Sequence, residues 1–142
     1  GLVFPLHPES MGEITLRSNN PLDYPVIHYE YLQTQYDKDS YVDGMLLLKE
    51  IFSDKVFKEL GCELVVDKNT YENDEQYWSR EAVLERLQQT ALTCYHPIGT
   101  CKMGDIDKDV MAVCDERLKV RGFDNLRVMD ASIMPTLTSG NT

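Results

Sequence analysis

No run of apolar residues in this chain approaches the roughly 18 that a membrane-spanning helix needs. The longest cluster, "MLLLKEIF", is interrupted by charge. No basic stripe is present either. With 24 acidic against 14 basic residues the net charge is -10, a balance that repels a phosphate backbone, so nucleic acid is excluded as a partner. The acidity reads instead as a solvating surface. A secretory signal is missing from "GLVFPLHPESMG", which has neither a basic start nor a long apolar stretch. Four cysteines, Cys62, Cys94, Cys101 and Cys114, are too few to build a disulfide miniprotein of this length. They fit two bridges or four buried thiols, and their pairing stays open. The glycines nowhere form G-x-G-x-x-G, Ser132 and Ser139 carry no nucleophile elbow, and the carboxylates form no pair at a diagnostic spacing. The chain opens on Gly instead of Met, from which we expect a segment cut from within a longer protein.

What is present suits a folded domain: 142 residues, 42% of them hydrophobic, suffice for one with a core of its own. Ile14 and Leu16 alternate with polar residues, "SNNPLDYP" is a dense turn signal, and "VIHYEYL" resumes an extended pattern. Two β segments joined by a polar loop follow. From Asp37 to Leu60, Tyr41, Met45, Leu48, Phe52, Val56 and Leu60 recur at helical spacing, with Asp39 or Ser40 as cap and Gly61 at the end. A second helix begins near Asn73, where Asn73 and Gln76 stand at capping-box spacing, with a break at Ser79. "DIDKDVMA" is a polar loop, and "RLKV" and "NLRVMDA" flank the turn "RGFDN" as a hairpin or two consecutive strands. The order β-β, α, α, β-β gives mixed α and β architecture with an antiparallel component.

Chemistry concentrates in "TCYHPIGTCKMG", residues 93–104. Of three histidines, His7 and His28 sit in ordinary surface or strand settings. His96 precedes Pro97, which restricts the backbone, and Gly99, which permits a sharp turn. Such a turn can fix an imidazole as a general base requires, although a local carbonyl satisfying the ring explains the same pattern. Cys94, His96, Cys101 and Cys114 are also of zinc-ligand type. They lack the close paired spacing of structural zinc sites, so no metal is expected.

With "YHPIGTCKMG" and "NLRVMDASIMPTLTSGNT" both in view, the chain resembles the C-terminal part of a glucose–methanol–choline (GMC) family flavin oxidoreductase. "GEITLRSNNPLDYPVIHYEYL" and "VCDERLKVRGFDNLRVMDASIMP" support it in the right order, and the wording looks closest to insect-like glucose or alcohol dehydrogenases. The resemblance implies an α+β fold: an antiparallel sheet flanked by helices, the substrate domain, over residues 1–113. Residues 114–142 would be the chain returning to an FAD-binding domain, truncated here. The N-terminal part of that domain, with its glycine-rich turn, would be the missing partner.

The resemblance also implies FAD as cofactor and oxidation of a CH–OH group in an alcohol or sugar. The hydroxyl proton would go to a base as hydride leaves the same carbon for flavin N5. His96 matches the base, and imidazole, titrating near about 6.5, suits the task. Asn141 matches its partner, which could donate a hydrogen bond to a developing alkoxide without ionising. Asp130 and Ala131 match the segment along the ribityl–pyrophosphate region, with a turn-capping carboxylate as the alternative for Asp130; Thr142 matches a position whose backbone approaches the flavin ring, and Tyr95 a pocket-lining residue. Oxygen or a quinone-like compound would reoxidise the flavin. A redox-inactive binding protein and a hydroxynitrile lyase on the same scaffold are the alternatives. The animal-like resemblance further implies secretion.

Overall fold

Strand β1 (Glu13–Thr15) pairs antiparallel with β2 (Val26–His28), Ile14 facing Ile27 in the register. Between them "SNNPLDYP" folds as the expected turn: Asn20 Oδ1 accepts the Leu22 N–H, and Asp23 accepts Ser18 and Asn20. The computed structural model describes residues 1–67, 69–139 and 142. Its remaining elements are α1 (Gln35–Phe52), α2 (Lys55–Glu59), α3 (Asp74–Tyr77), α4 (Arg80–Thr90) and a 3-10 turn at Ala131–Ile133. The α+β class and the antiparallel pairing expected from the sequence are both present.

Two compact units divide these elements: Gly1–Met11 with Glu30–Leu92, and Gly12–Tyr29 with Thr93–Thr142. In the first, α1 packs against α4 through Val42, Ala82 and Val83, all buried. Exposed Arg80 ties the helices together at the surface, reaching Asp39 and Asp43 on α1. Residues 1–11 lie along α1, and a Cβ added at Gly44 would come within 2.5 Å of the Val3 Cγ1, so this helical glycine marks a close approach.

The caps refine the expected helices. Asn73 caps α3 as the spacing indicated, and the break expected at Ser79 is a new cap, that of α4, each side chain accepting a backbone N–H three residues on. Helix α1 starts earlier than expected, because Thr34 caps it and neither Asp39 nor Ser40 does. Thr34 Oγ1 accepts the Asp37 N–H at 3.1 Å, which frees the Asp37 carboxylate to reach back to Glu9 and Ser10. The single long helix is also divided. Asp54 Oδ1 accepts the Val56 N–H and caps a separate α2, and Val56 and Leu60, expected on the apolar face, are exposed. Gly61, at φ 74°, ends α2 as expected.

In the second unit, the segments around "RGFDN" form a hairpin held by single bridges and no long ladder. Lys119 pairs with Arg127, and Gly122 turns the chain at φ 78°. Cys114, fully buried, pairs with both Met103 and Val120 and anchors this unit beside Ala112.

Candidate active site

The "TCYHPIGTCKMG" segment is held at both ends. At its start Tyr95 takes φ 66°, a left-handed conformation unusual for a large side chain, and its N–H donates to Thr93 Oγ1 at 3.1 Å. Gly99 follows at φ 84°, where a side chain would be strained, and its carbonyl accepts the Lys102 N–H at 3.2 Å. Cys101 N–H then donates to the Ser132 carbonyl at 2.9 Å and Met103 N–H to that of Ile133 at 2.8 Å. The histidine turn is thereby tied to the 3-10 turn some thirty residues on.

His96 lies half-buried between those constraints. Its Nδ1 stands 3.0 Å from Thr142 Oγ1, and the Thr142 backbone N–H points at the same nitrogen from 3.4 Å. The sequence thus brings together two of its candidate residues, 46 positions apart. Asn141 lies outside the described residues. Tyr95 is 85% exposed, with its ring projecting from the strained turn.

Asp130 caps the 3-10 turn. Its carboxylate accepts the Ser132 N–H at 2.8 Å and the Ser132 hydroxyl, and these two bonds, the hydroxyl first, hold its pKa below the ordinary aspartate value. Asp130 is therefore ionised and turned onto its own loop, with Ala131 starting the turn beside it. Sequence reasoning missed Ser132 as its partner, although Asp-x-Ser is a visible turn spacing. It also missed the Thr142 hydroxyl, for which no local signal exists.

All four cysteines are free thiols. Burial, and then the neighbouring Cys101, pushes the Cys114 thiol up, so it is a poor ligand and a poor nucleophile. Among the described residues no three His, Cys, Asp or Glu side chains converge where they could hold a metal ion. Nor is any described helix long and apolar enough to cross a membrane.

A model of the GMC oxidoreductase family matches residues 8–142. Oxygen-dependent choline dehydrogenase from Vibrio vulnificus is 38% identical over 139 residues, 98% of this chain and 24% of that protein. Alcohol dehydrogenase [acceptor] from Pseudomonas putida is 39% identical over 138 residues, 96% of this chain and 23% of that protein. Among solved structures, pyridoxine 4-oxidase from Mesorbium loti superposes with a TM-score of 0.77 at 32% identity, covering 96% of this chain and 25% of that one. A fungal aryl-alcohol oxidase gives 0.78 at 28% identity, covering 93% and 21%. The chain spans about a quarter of the length of the curated relatives it matches.

Proposed function

This chain belongs to the GMC oxidoreductase family, and from that premise we propose that it is the C-terminal portion of an FAD-dependent enzyme oxidising a CH–OH group. Residues 1–113 are its share of the substrate domain and residues 114–142 its return to the FAD-binding domain. The observation carrying the reading is His96, held on a strained turn with its Nδ1 engaged by Thr142. The activities named for the relatives, on choline, alcohols and pyridoxine, support a hydroxyl-bearing substrate.

The residues present suit a flavin. An Asp130 carboxylate aimed outward would oppose a pyrophosphate. Its two bonds to Ser132 draw the charge into the turn, so that this stretch offers a ligand backbone and the small Ala131. FAD, when bound, supplies the hydride acceptor. His96 removes the hydroxyl proton, which raises electron density on the oxygen and weakens the C–H bond. By the resemblance, Asn141 would donate a hydrogen bond to the oxygen as its charge grows, Tyr95 would line the approach, and Thr142 would belong to the part that holds the flavin. An oxygen or quinone-like acceptor completes the cycle. A secreted location belongs to the same proposal, supported by the insect-like wording of the motifs, and fractionation of the producing cells and their medium tests it.

Anaerobic addition of a primary alcohol, choline or a sugar to the complete, flavin-loaded protein tests the reaction. Bleaching of the flavin band by at least one of them is expected. Failure across that panel, or release of cyanide and a carbonyl from a hydroxynitrile with no bleaching, overturns the oxidoreductase reading.

A further inference from the structure

The turn that carries His96 is laid against residues 130–134. A Cβ added at Gly99 would meet the Met134 carbonyl oxygen at 3.4 Å, so the two segments approach closely there. Two residues on, the Cys101 N–H donates to the Ser132 carbonyl at 2.9 Å, and the Met103 N–H then donates to the Ile133 carbonyl at 2.8 Å. His96 stands three residues before Gly99. Where its ring sits therefore depends on where the carbonyls of Ser132 and Ile133 point.

Those carbonyls belong to a 3-10 turn of three residues, a conformation with poor hydrogen-bond geometry of its own. Its backbone bonds, from Ile133 N–H to the Asp130 carbonyl and from Met134 N–H to the Ala131 carbonyl, are both 3.2 Å long. The Asp130 side chain adds a second restraint. Its Oδ1 accepts both the Ser132 N–H, at 2.8 Å, and the Ser132 hydroxyl. Both bonds end on one oxygen, so the restraint needs an acceptor and not a charge, and an amide oxygen would accept the same two donors.

We propose that Asp130 is a positioning residue for His96, its Oδ1 clasping the 3-10 turn whose carbonyls hold the histidine turn in place. The inference rests on His96 being the base, and it adds what fixes the base's backbone from outside its own segment. It also separates Asp130 from a direct role toward the cofactor, in which the carboxylate's charge would count.

The test compares Asp130→Ala, which loses the clasp, with Asp130→Asn, which keeps Oδ1, in the complete, flavin-loaded protein. Hydrogen exchange by mass spectrometry, on the peptide holding Cys101 and Met103, is expected to quicken in the Ala variant and to match wild type in the Asn variant. Limiting flavin reduction should slow roughly 5- to 20-fold in the Ala variant, short of the hundredfold that about an ångström of misplacement costs, with the half-saturating substrate concentration unchanged. Asp130→Asn should restore the rate and hold its flavin as wild type does. Ser132→Ala, which loses only the hydroxyl bond, should loosen the same peptide to a smaller degree, and it carries the exchange test if Asp130→Ala does not fold. Unmoved exchange in these two variants, or an Asn variant that sheds flavin or reduces as slowly as Ala, overturns the proposal. The His96→Ala variant separates the two readings. If it reduces at the wild-type rate, the base assignment falls. If it is slow while Asp130→Ala reduces normally, only the role of Asp130 falls.

Discussion

Asp37 is 1% exposed and carries a negative charge, so its replacement should be among the most damaging in the chain. Its carboxylate accepts the N–H groups of Glu9 and Ser10, each at 2.8 Å, and the Ser10 hydroxyl. Ser10 Oγ in turn accepts the Gln33 N–H at 2.9 Å and the Thr34 N–H at 3.3 Å, so one hydroxyl closes the network over the start of α1. Asp37→Ala removes three bonds to a charged acceptor and leaves two backbone donors without a partner. At about 1–3 kcal/mol for each group left unsatisfied, and with residues 1–11 able to swing into water, the loss comes to roughly 3–5 kcal/mol. Asp37→Asn keeps one acceptor oxygen, which can hold both the Ser10 N–H and its hydroxyl, but the Glu9 N–H then meets an N–H. About 2 kcal/mol follows at pH 7.

The same network fixes a pH dependence. Burial raises the Asp37 pKa, but the bonds from Ser10, Glu9 and Thr34 outweigh it and leave the group below the ordinary aspartate value. A depressed folded-state pKa means stability that is fully present above the unfolded value of about 4 and lost as pH falls through the folded one. Urea unfolding of wild type and Asp37→Asn across pH 2–7 measures the difference. Other carboxylates titrate in both proteins and cancel. Equal stabilities at pH 7, or a gap that does not narrow below about pH 4, would refute the reasoning.

Two further outcomes are expected within the separate units. Arg86 lies 3.7 Å over the Tyr77 ring, near Tyr71 and Trp78, and donates to the Tyr77 carbonyl at 2.7 Å. Arg86→Lys loses the planar stacking and should cost about 1 kcal/mol in denaturant unfolding, whereas no loss would make the stack incidental. Cys114, fully buried with its thiol pushed up by burial, should react with a maleimide at least about a hundredfold more slowly than exposed Cys62 until the protein is unfolded; equal rates by mass spectrometry would contradict its burial.

Local rules reached the elements whose signals are local. Asn73 and Gly61 cap or end helices where side chain or φ freedom indicated, and the break read at Ser79 is there, because a cap is satisfied within three residues. The α1 start was not legible. Thr34 wins over Asp39 because Ser10, more than twenty residues upstream, organises the backbone there, and pattern reading does not see that distance. The break at Asp54 was hidden by a helical spacing that runs straight through it. In the site, the turn around His96 follows from Pro97 and Gly99, while its bond to Thr142 spans 46 positions and is a product of folding alone. Resemblance to a family brought His96 and the terminal block together; spacing could not have chosen between a base and a satisfied ring.

The central claim is that His96 takes the substrate proton. Anaerobic stopped-flow reduction of the flavin in the complete protein measures it most directly, comparing wild type with a His96→Ala variant that retains its flavin. A fall of about 100-fold or more in the limiting reduction rate is expected, the scale of a lost general base. Reduction at the wild-type rate would contradict the account.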